Sequence, residues 1–135
     1  MNIVMLLKPK ETIAYIYENS TIRQALEKMK VHSYTAVPVI DEYGKYIGTV
    51  SEGDFLWYIV EKQTQGMKSQ EKYFVRDLIR ADFNPPVKIS VNMNELYDRA
   101  LNQNFIPVTD DSGTFIGIVT RKDIISHFVD KSKMI

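Results

Sequence analysis

The chain has 135 residues, 17 basic and 17 acidic side chains, and no cysteine. That length suits one compact domain or two half-sized units sharing a core, and it buries roughly two thirds of the unfolded surface. Balanced charge offers no general attraction to nucleic acid or an anionic membrane. The lack of cysteine excludes a disulfide scaffold, thiolate zinc sites and thiol catalysis, and it fits a reducing, cytoplasmic setting.

In chain order, the opening MNIVMLLKPK has five consecutive apolar residues before Lys8, too few for a signal-peptide core, and no later stretch reaches membrane-spanning length. A soluble protein is expected. A start signal at Ser20-Thr21 precedes a helical stripe of Ile22, Ala25, Leu26 and Met29. VPVIDEYGKYIGTV then reads as two short strands around an Asp-x-x-Gly turn, where glycine takes the positive φ that closes a hairpin. A second helix should begin near Ser51, with Phe55, Leu56, Ile59 and Val60 forming a stripe that packs on the sheet. Polar EKQTQGMKSQEK, residues 61–72, links this unit to the next.

The second half repeats the first. With Pro38 aligned to Pro107, eight of the nineteen positions up to Leu56 and Ile125 are identical: a Pro-Val pair, Asp41/Asp110, Gly44/Gly113, Ile47/Ile116, Gly48/Gly117, Val50/Val119 and Asp54/Asp123. Met93, Leu96, Tyr97 and Ala100 restate the first helical stripe, and Ile124, Ile125, Phe128 and Val129 the second. The spacing to the proline is shorter in the second copy, so its first helix should end earlier. Each unit is predicted as β-α-β-β-α, within repeats at 1–68 and 69–135. Neither covers its own apolar surface, so the two should dock about a pseudo-twofold axis into one α+β domain. Pro38 and Pro107 belong at an edge or a bulge.

Ser51-x-x-Asp54 and Thr120-x-x-Asp123 lie where a strand turns into a helix. One interpretation is a capping box, in which the side chains satisfy orphan helix amides. The other is a binding site. A helix N-terminus favours phosphate, a hydroxyl can donate to it, and an acceptor-only carboxylate can take the two O–H donors of a ribose. Arg121 and Lys122 in the second copy would neutralise phosphate, whereas Glu52 and Gly53 in the first would not, so the second is the better phosphate site. The first would need help from Lys8 or Lys10.

This duplicated hairpin with its Gly and Ser/Thr-x-x-Asp resembles a tandem pair of CBS (cystathionine-β-synthase-type) repeats, a Bateman module, in its free-standing bacterial form. YFVRDLIR, Tyr73 to Arg80, is similar to the usual lead-in to the second repeat. The resemblance implies a regulatory sensor, not an enzyme. It would bind an adenosine-containing ligand (AMP, ADP, ATP, S-adenosylmethionine or a dinucleotide) in clefts between repeats and signal by a conformational shift. Asp54 and Asp123 would hold ribose, and Ser51 and Thr120 would contact phosphate. The backbone at Ala36, Val37 and Pro38, or at Phe105, Ile106 and Pro107, would line the adenine pocket. Thr12, Ile13 and Ala14 would complete the first site, and residues near Pro86 and Val87 the second. SYTAVPVID also resembles free-standing receptors of cyclic di-AMP.

The resemblance further implies a homodimer and an unidentified regulated protein as partners, with no required cofactor. His32 and His127 do not correspond and have no helix-spaced partner, so metal binding is not expected, nor is a nucleophile–base pair. Trp57 and Tyr58 stand where the second copy has Ser126 and His127. They would be either buried trim or a subunit contact, as would Met1, Met5, Tyr15 and Tyr17. The competing functions are a ligand-free dimerisation scaffold in which Ser/Thr-x-x-Asp only caps helices, and nucleic-acid binding, which the neutral charge disfavours.

Overall fold

The computed structural model describes residues 3–32, 34–62 and 70–133; Met1, Ser33 and the expected repeat boundary at 68/69 lie outside them. The elements are β1 (Lys8–Pro9), β2 (Ile16–Tyr17), α1 (Ile22–His32), β3 (Ala36–Ile40), β4 (Tyr46–Ser51), α2 (Glu52–Lys62), β5 (Val87–Lys88), α3 (Met93–Ala100), β6 (Phe105–Thr109), β7 (Phe115–Thr120) and α4 (Arg121–Lys133). The expected β-α-β-β-α order therefore occurs twice. Eight residues of α3 against eleven of α1 account for the shorter second spacing. Thr21 starts α1 with a reciprocal cap, since its amide donates to Gln24 Oε1 and its hydroxyl accepts from the Gln24 amide. Asn92 Oδ1 accepts from the Glu95 amide at α3.

Both hairpins form as the repeated Asp-x-x-Gly demands. Asp41 Oδ1 accepts from the amides of Tyr43 and Lys45, Asp110 Oδ1 from those of Ser112 and Thr114, and Gly44 and Gly113 take φ of 85° and 89°. β3 pairs antiparallel with β4 and β6 with β7, in matching register, Pro38 opposite Thr49 and Pro107 opposite Ile118. The short β2 pairs only with Val39 and Ile40, and β5 only with Val108 and Thr109. On that side the backbone from Ala36 to Pro38, and from Phe105 to Pro107, is thus left outside the ladder. Each proline sits where a missing N–H costs no pairing to β2 or β5, one residue before a register shift.

The chain divides into two compact units, residues 14–83 and residues 1–13 with 84–135. In the first, the order β2-β3-β4 carries a core of Ile16, Ile22, Ala25, Met29, Val37, Val39, Val50, Phe55, Val75 and Leu78. In the second, the order β1-β7-β6-β5 carries Ile3, Val87, Leu96, Ile106, Val108, Val119 and Ile124. These units are not the sequence repeats, because the N-terminal segment joins the sheet of the second copy: Lys8 and Pro9 pair antiparallel with Ile118 and Gly117. The helical stripes after the hairpins also differ from expectation. Only Phe55 and Ile124 are buried, while Leu56, Val60, Ile125, Phe128 and Val129 are exposed, so most of each stripe faces away from its own sheet. Among the described residues no helix is long and apolar enough to cross a membrane.

The repeated glycine of β4 and β7 has a packing cause. A Cβ on Gly48 would stand 2.7 Å from Ile79 Cγ2, and one on Gly117 would stand 2.2 Å from the Lys8 carbonyl oxygen and 3.0 Å from Leu7 Cδ1. Gly117→Ala is therefore expected to lower unfolding free energy by about 1–3 kcal/mol in urea denaturation. Gly48→Ala should cost less, because a side-chain methyl can turn aside and a backbone carbonyl cannot.

Candidate functional site

Leu6-Leu7-Lys8 and Leu78-Ile79-Arg80 are a second duplication, apolar-apolar-basic at an offset of 72 residues, which the hairpin alignment did not register. Leu7 and Ile79 lie over Gly117 and Gly48, and the basic residue that follows each reaches the aspartate at the adjacent helix start. The strap over the first copy is held by backbone bonds: the Ile22 amide donates to the Tyr73 carbonyl, and the Val75 and Arg76 amides donate to those of Ser20 and Glu18. The strap over the second copy is held by β1 on β7. Lys8, expected to assist the first junction, is thus a neighbour of Asp123.

The first junction is saturated. The Ser51 amide and hydroxyl both donate to Asp54 Oδ2, at 2.9 and 3.1 Å, and the Ser51 hydroxyl accepts from the Asp54 amide at 3.3 Å. Arg80 Nε lies 2.8 Å from Asp54 Oδ1, and a terminal guanidinium nitrogen donates to Oδ2 at 3.3 Å. The guanidinium also stacks on Phe83, 3.8 Å from the ring centroid. The Asp54 side chain is 11% exposed. The pair is bidentate and charge-assisted, the strong geometry for this interaction, on a half-buried carboxylate, with the Arg80 side chain itself 52% exposed.

The second junction is looser with the same residue types. Thr120 Oγ1 accepts from the Asp123 amide at 3.2 Å, but among the described residues the Asp123 carboxylate meets only Lys8, at 3.8 Å. That separation exceeds a hydrogen bond. With side chains 50% and 36% exposed, the pair contributes about 0–1 kcal/mol. The Thr120 hydroxyl hydrogen has no acceptor among the described residues, whereas that of Ser51 is used by Asp54.

Other expected residues fall into place unevenly. Arg121 is engaged elsewhere, its Nε donating to the Ala100 carbonyl at 2.7 Å and its amide to that of Asn104 at 2.9 Å. Lys122 is exposed. The Glu52 amide likewise donates to the Thr35 carbonyl, so the first amide of each helix is already paired. Val37, Pro38, Ile106 and Pro107 bury their side chains, and the backbone edge they form lies outside the pairing with β2 or β5; Ala36 and Phe105, half-buried, begin the same edges. Thr12, in a 3₁₀ turn packed beside β7, and Ile13 belong to the unit that contains Asp123; Ala14 belongs to the one that contains Asp54. Pro86 and Val87 line a hollow of about 360 Å³ with Lys88, Ser90, Asn92 and Arg99, not with Thr120 or Asp123. His32 stacks on Tyr34, and among the described residues no three acidic or histidine side chains gather as for a metal.

A model of the CBS domain matches residues 7–61 and 75–130. L-aspartate semialdehyde sulfurtransferase of Methanocaldococcus jannaschii is 30% identical over 116 residues, 85% of this chain. The chain spans about a fifth of the length of that relative and of two homoserine O-acetyltransferases from methanogens. Among solved structures, CbpB in complex with c-di-AMP superposes with TM-score 0.87 at 22% identity, covering 96% of this chain and 85% of that one. CBSX2 in complex with AMP superposes with TM-score 0.77 at 22% identity, covering 97% and 98%.

The unequal junctions should be measurable without ligand. Asp54→Ala strands the Ser51 amide and unpairs the half-exposed Arg80, and is expected to lower stability by about 1–2 kcal/mol in urea denaturation. Asp123→Ala should cost about 0.5 kcal/mol or less. Equal losses would contradict the asymmetry.

Proposed function

The chain belongs to the CBS domain family, and on that footing we propose that it is a regulatory module that binds an adenine nucleotide at the Thr120–Asp123 junction. The observation that carries this is the Asp123 carboxylate, poised at a helix start without a hydrogen-bond donor among the described residues, where its sealed counterpart Asp54 has four. An acceptor-only group suits the paired hydroxyls of a ribose. The Thr120 hydroxyl hydrogen, without an acceptor among the described residues, and the exposed Lys122, with Lys8 once it leaves Asp123, suit phosphate. The backbone edge from Phe105 to Pro107 has amides and carbonyls with which to read a base. The AMP and c-di-AMP complexes of proteins sharing the fold support an adenosine ligand. In this proposal Thr120 contacts phosphate and does not act as a nucleophile, a role in binding rather than catalysis. Such a ligand regulates a partner protein to the extent that it prefers one conformation, since equal affinity for two states shifts nothing.

The same proposal includes a homodimer. Leu56, Trp57 and Val60 on α2 are exposed together, and Ile125, Phe128 and Val129 repeat the patch on α4. Trp57 is not buried trim, while Tyr58 is half-buried edge-on to Tyr73. A groove of about 540 Å³, lined by Leu26, Met29, Phe55, Leu56 and Ile59, adjoins the first patch. Apolar faces of this kind are the cores of subunit interfaces, where Trp and Tyr are enriched.

Thermal-shift and calorimetric titration with AMP, ADP, ATP and cyclic di-AMP test the nucleotide. At least one is expected to raise the melting temperature of the wild type and to lose that effect in Asp123→Ala; no response to any of them would contradict the proposal. Sedimentation of the 15.6 kDa chain is expected to show twice its mass, and Trp57→Glu to shift it toward monomer.

A further inference from the structure

Resting on the nucleotide assignment above, we infer that Arg80 is a built-in plug of the first junction. Each chain then takes one nucleotide, at Asp123, and the plug decides which of two sequence-equivalent sites is open. The two straps deliver a cation to the same point of each repeat, but with different chemistry. Arg80 grips both carboxylate oxygens of Asp54, is steadied by the face of Phe83, and meets an aspartate already holding two Ser51 donors. A ribose would have to replace charge-assisted hydrogen bonds with neutral ones, roughly half as strong. At the second junction the lysine stands 3.8 Å from Asp123, a hydrated point charge on a flexible stem. Among the described residues only this long ion pair, and no hydrogen bond to the carboxylate, has to give way before a sugar hydroxyl donates, and the displaced ammonium remains beside the phosphate.

Glu52 points the same way, because an acidic residue follows Ser51 where the open junction has Arg121. With Arg80 turned onto Asp54, the carboxylate of the first junction is charge-paired and the cation its strap delivers is committed to it rather than to phosphate. Its strap residues serve closure rather than capture. Arg80 is accordingly a specificity-determining residue that acts by occupying the acceptor, and its removal should expose a second site rather than merely weaken the fold.

The test is calorimetric titration and equilibrium dialysis of the full chain with AMP and, separately, cyclic di-AMP, counting binding sites per chain. The wild type is expected to offer one, Asp123→Ala none and Arg80→Gln two, with Arg80→Lys intermediate in its affinity for the second. Circular dichroism establishes that each variant is folded. If Arg80→Gln unfolds, the wild-type and Asp123→Ala counts still decide. Two sites per wild-type chain, a site that survives Asp123→Ala, or a folded Arg80→Gln that still offers one would overturn the plug while leaving nucleotide binding intact. Absence of binding by either probe to the wild type and to Arg80→Gln alike overturns the nucleotide assignment itself.

Discussion

Gly48 and Gly117 lack a Cβ, and the space each leaves is filled by a strap from elsewhere in the chain, Ile79 in one case and Leu7 with the Lys8 backbone in the other. Because the strap lies against the second hairpin strand, its next residue stands at the end of that strand, where the helix and its aspartate begin. A steric allowance of one methyl group thus sets the electrostatics of both junctions. A side chain at either glycine would lift the strap and withdraw the cation from the carboxylate.

The duplication itself follows from the geometry of a hairpin running into a helix. The repeated aspartate of the turn satisfies two amides, the glycine after it takes a positive φ, and the first strand of each hairpin is buried from its second residue to its end. Within this shared frame the copies diverge at few residues. Serine against threonine and arginine against lysine, together with the partner each finds, turn a reciprocally closed capping box into a half-made one. The two copies of Ser/Thr-x-x-Asp therefore differ in one chain: Ser51 and Asp54 have the hydrogen bonds of a reciprocal cap, while Asp123 leaves its carboxylate outside the cap.

Much of the fold was legible in the sequence, because periodicity and turn chemistry are local. α1, α3, both hairpins and the early end of α3 follow from apolar spacing and from Asp-x-x-Gly. What was not legible depends on contacts between distant segments. β1 has two residues and no periodicity, so its pairing with β7 and the placement of Lys8 beside Asp123 left no local sign beyond the short Leu-Leu-Lys and Leu-Ile-Arg match. Arg121 looks like a phosphate ligand by its charge and position, and no local pattern shows that its Nε donates to the Ala100 carbonyl at the end of α3. Asp54 looks equivalent to Asp123 until Arg80 is found on it. The stripes on α2 and α4 have helical spacing, but spacing does not say whether a face meets its own sheet or another surface.

The most direct test of nucleotide capture at one defined junction is a residue-resolved NMR titration of the labelled chain with AMP or cyclic di-AMP. The amides of Lys8, Thr120, Lys122 and Asp123 should shift in proportion to occupancy, while those of Ser51, Gly53 and Asp54 stay in place. Shifts centred on Ser51 and Asp54, with Thr120 and Asp123 unmoved, would contradict the account.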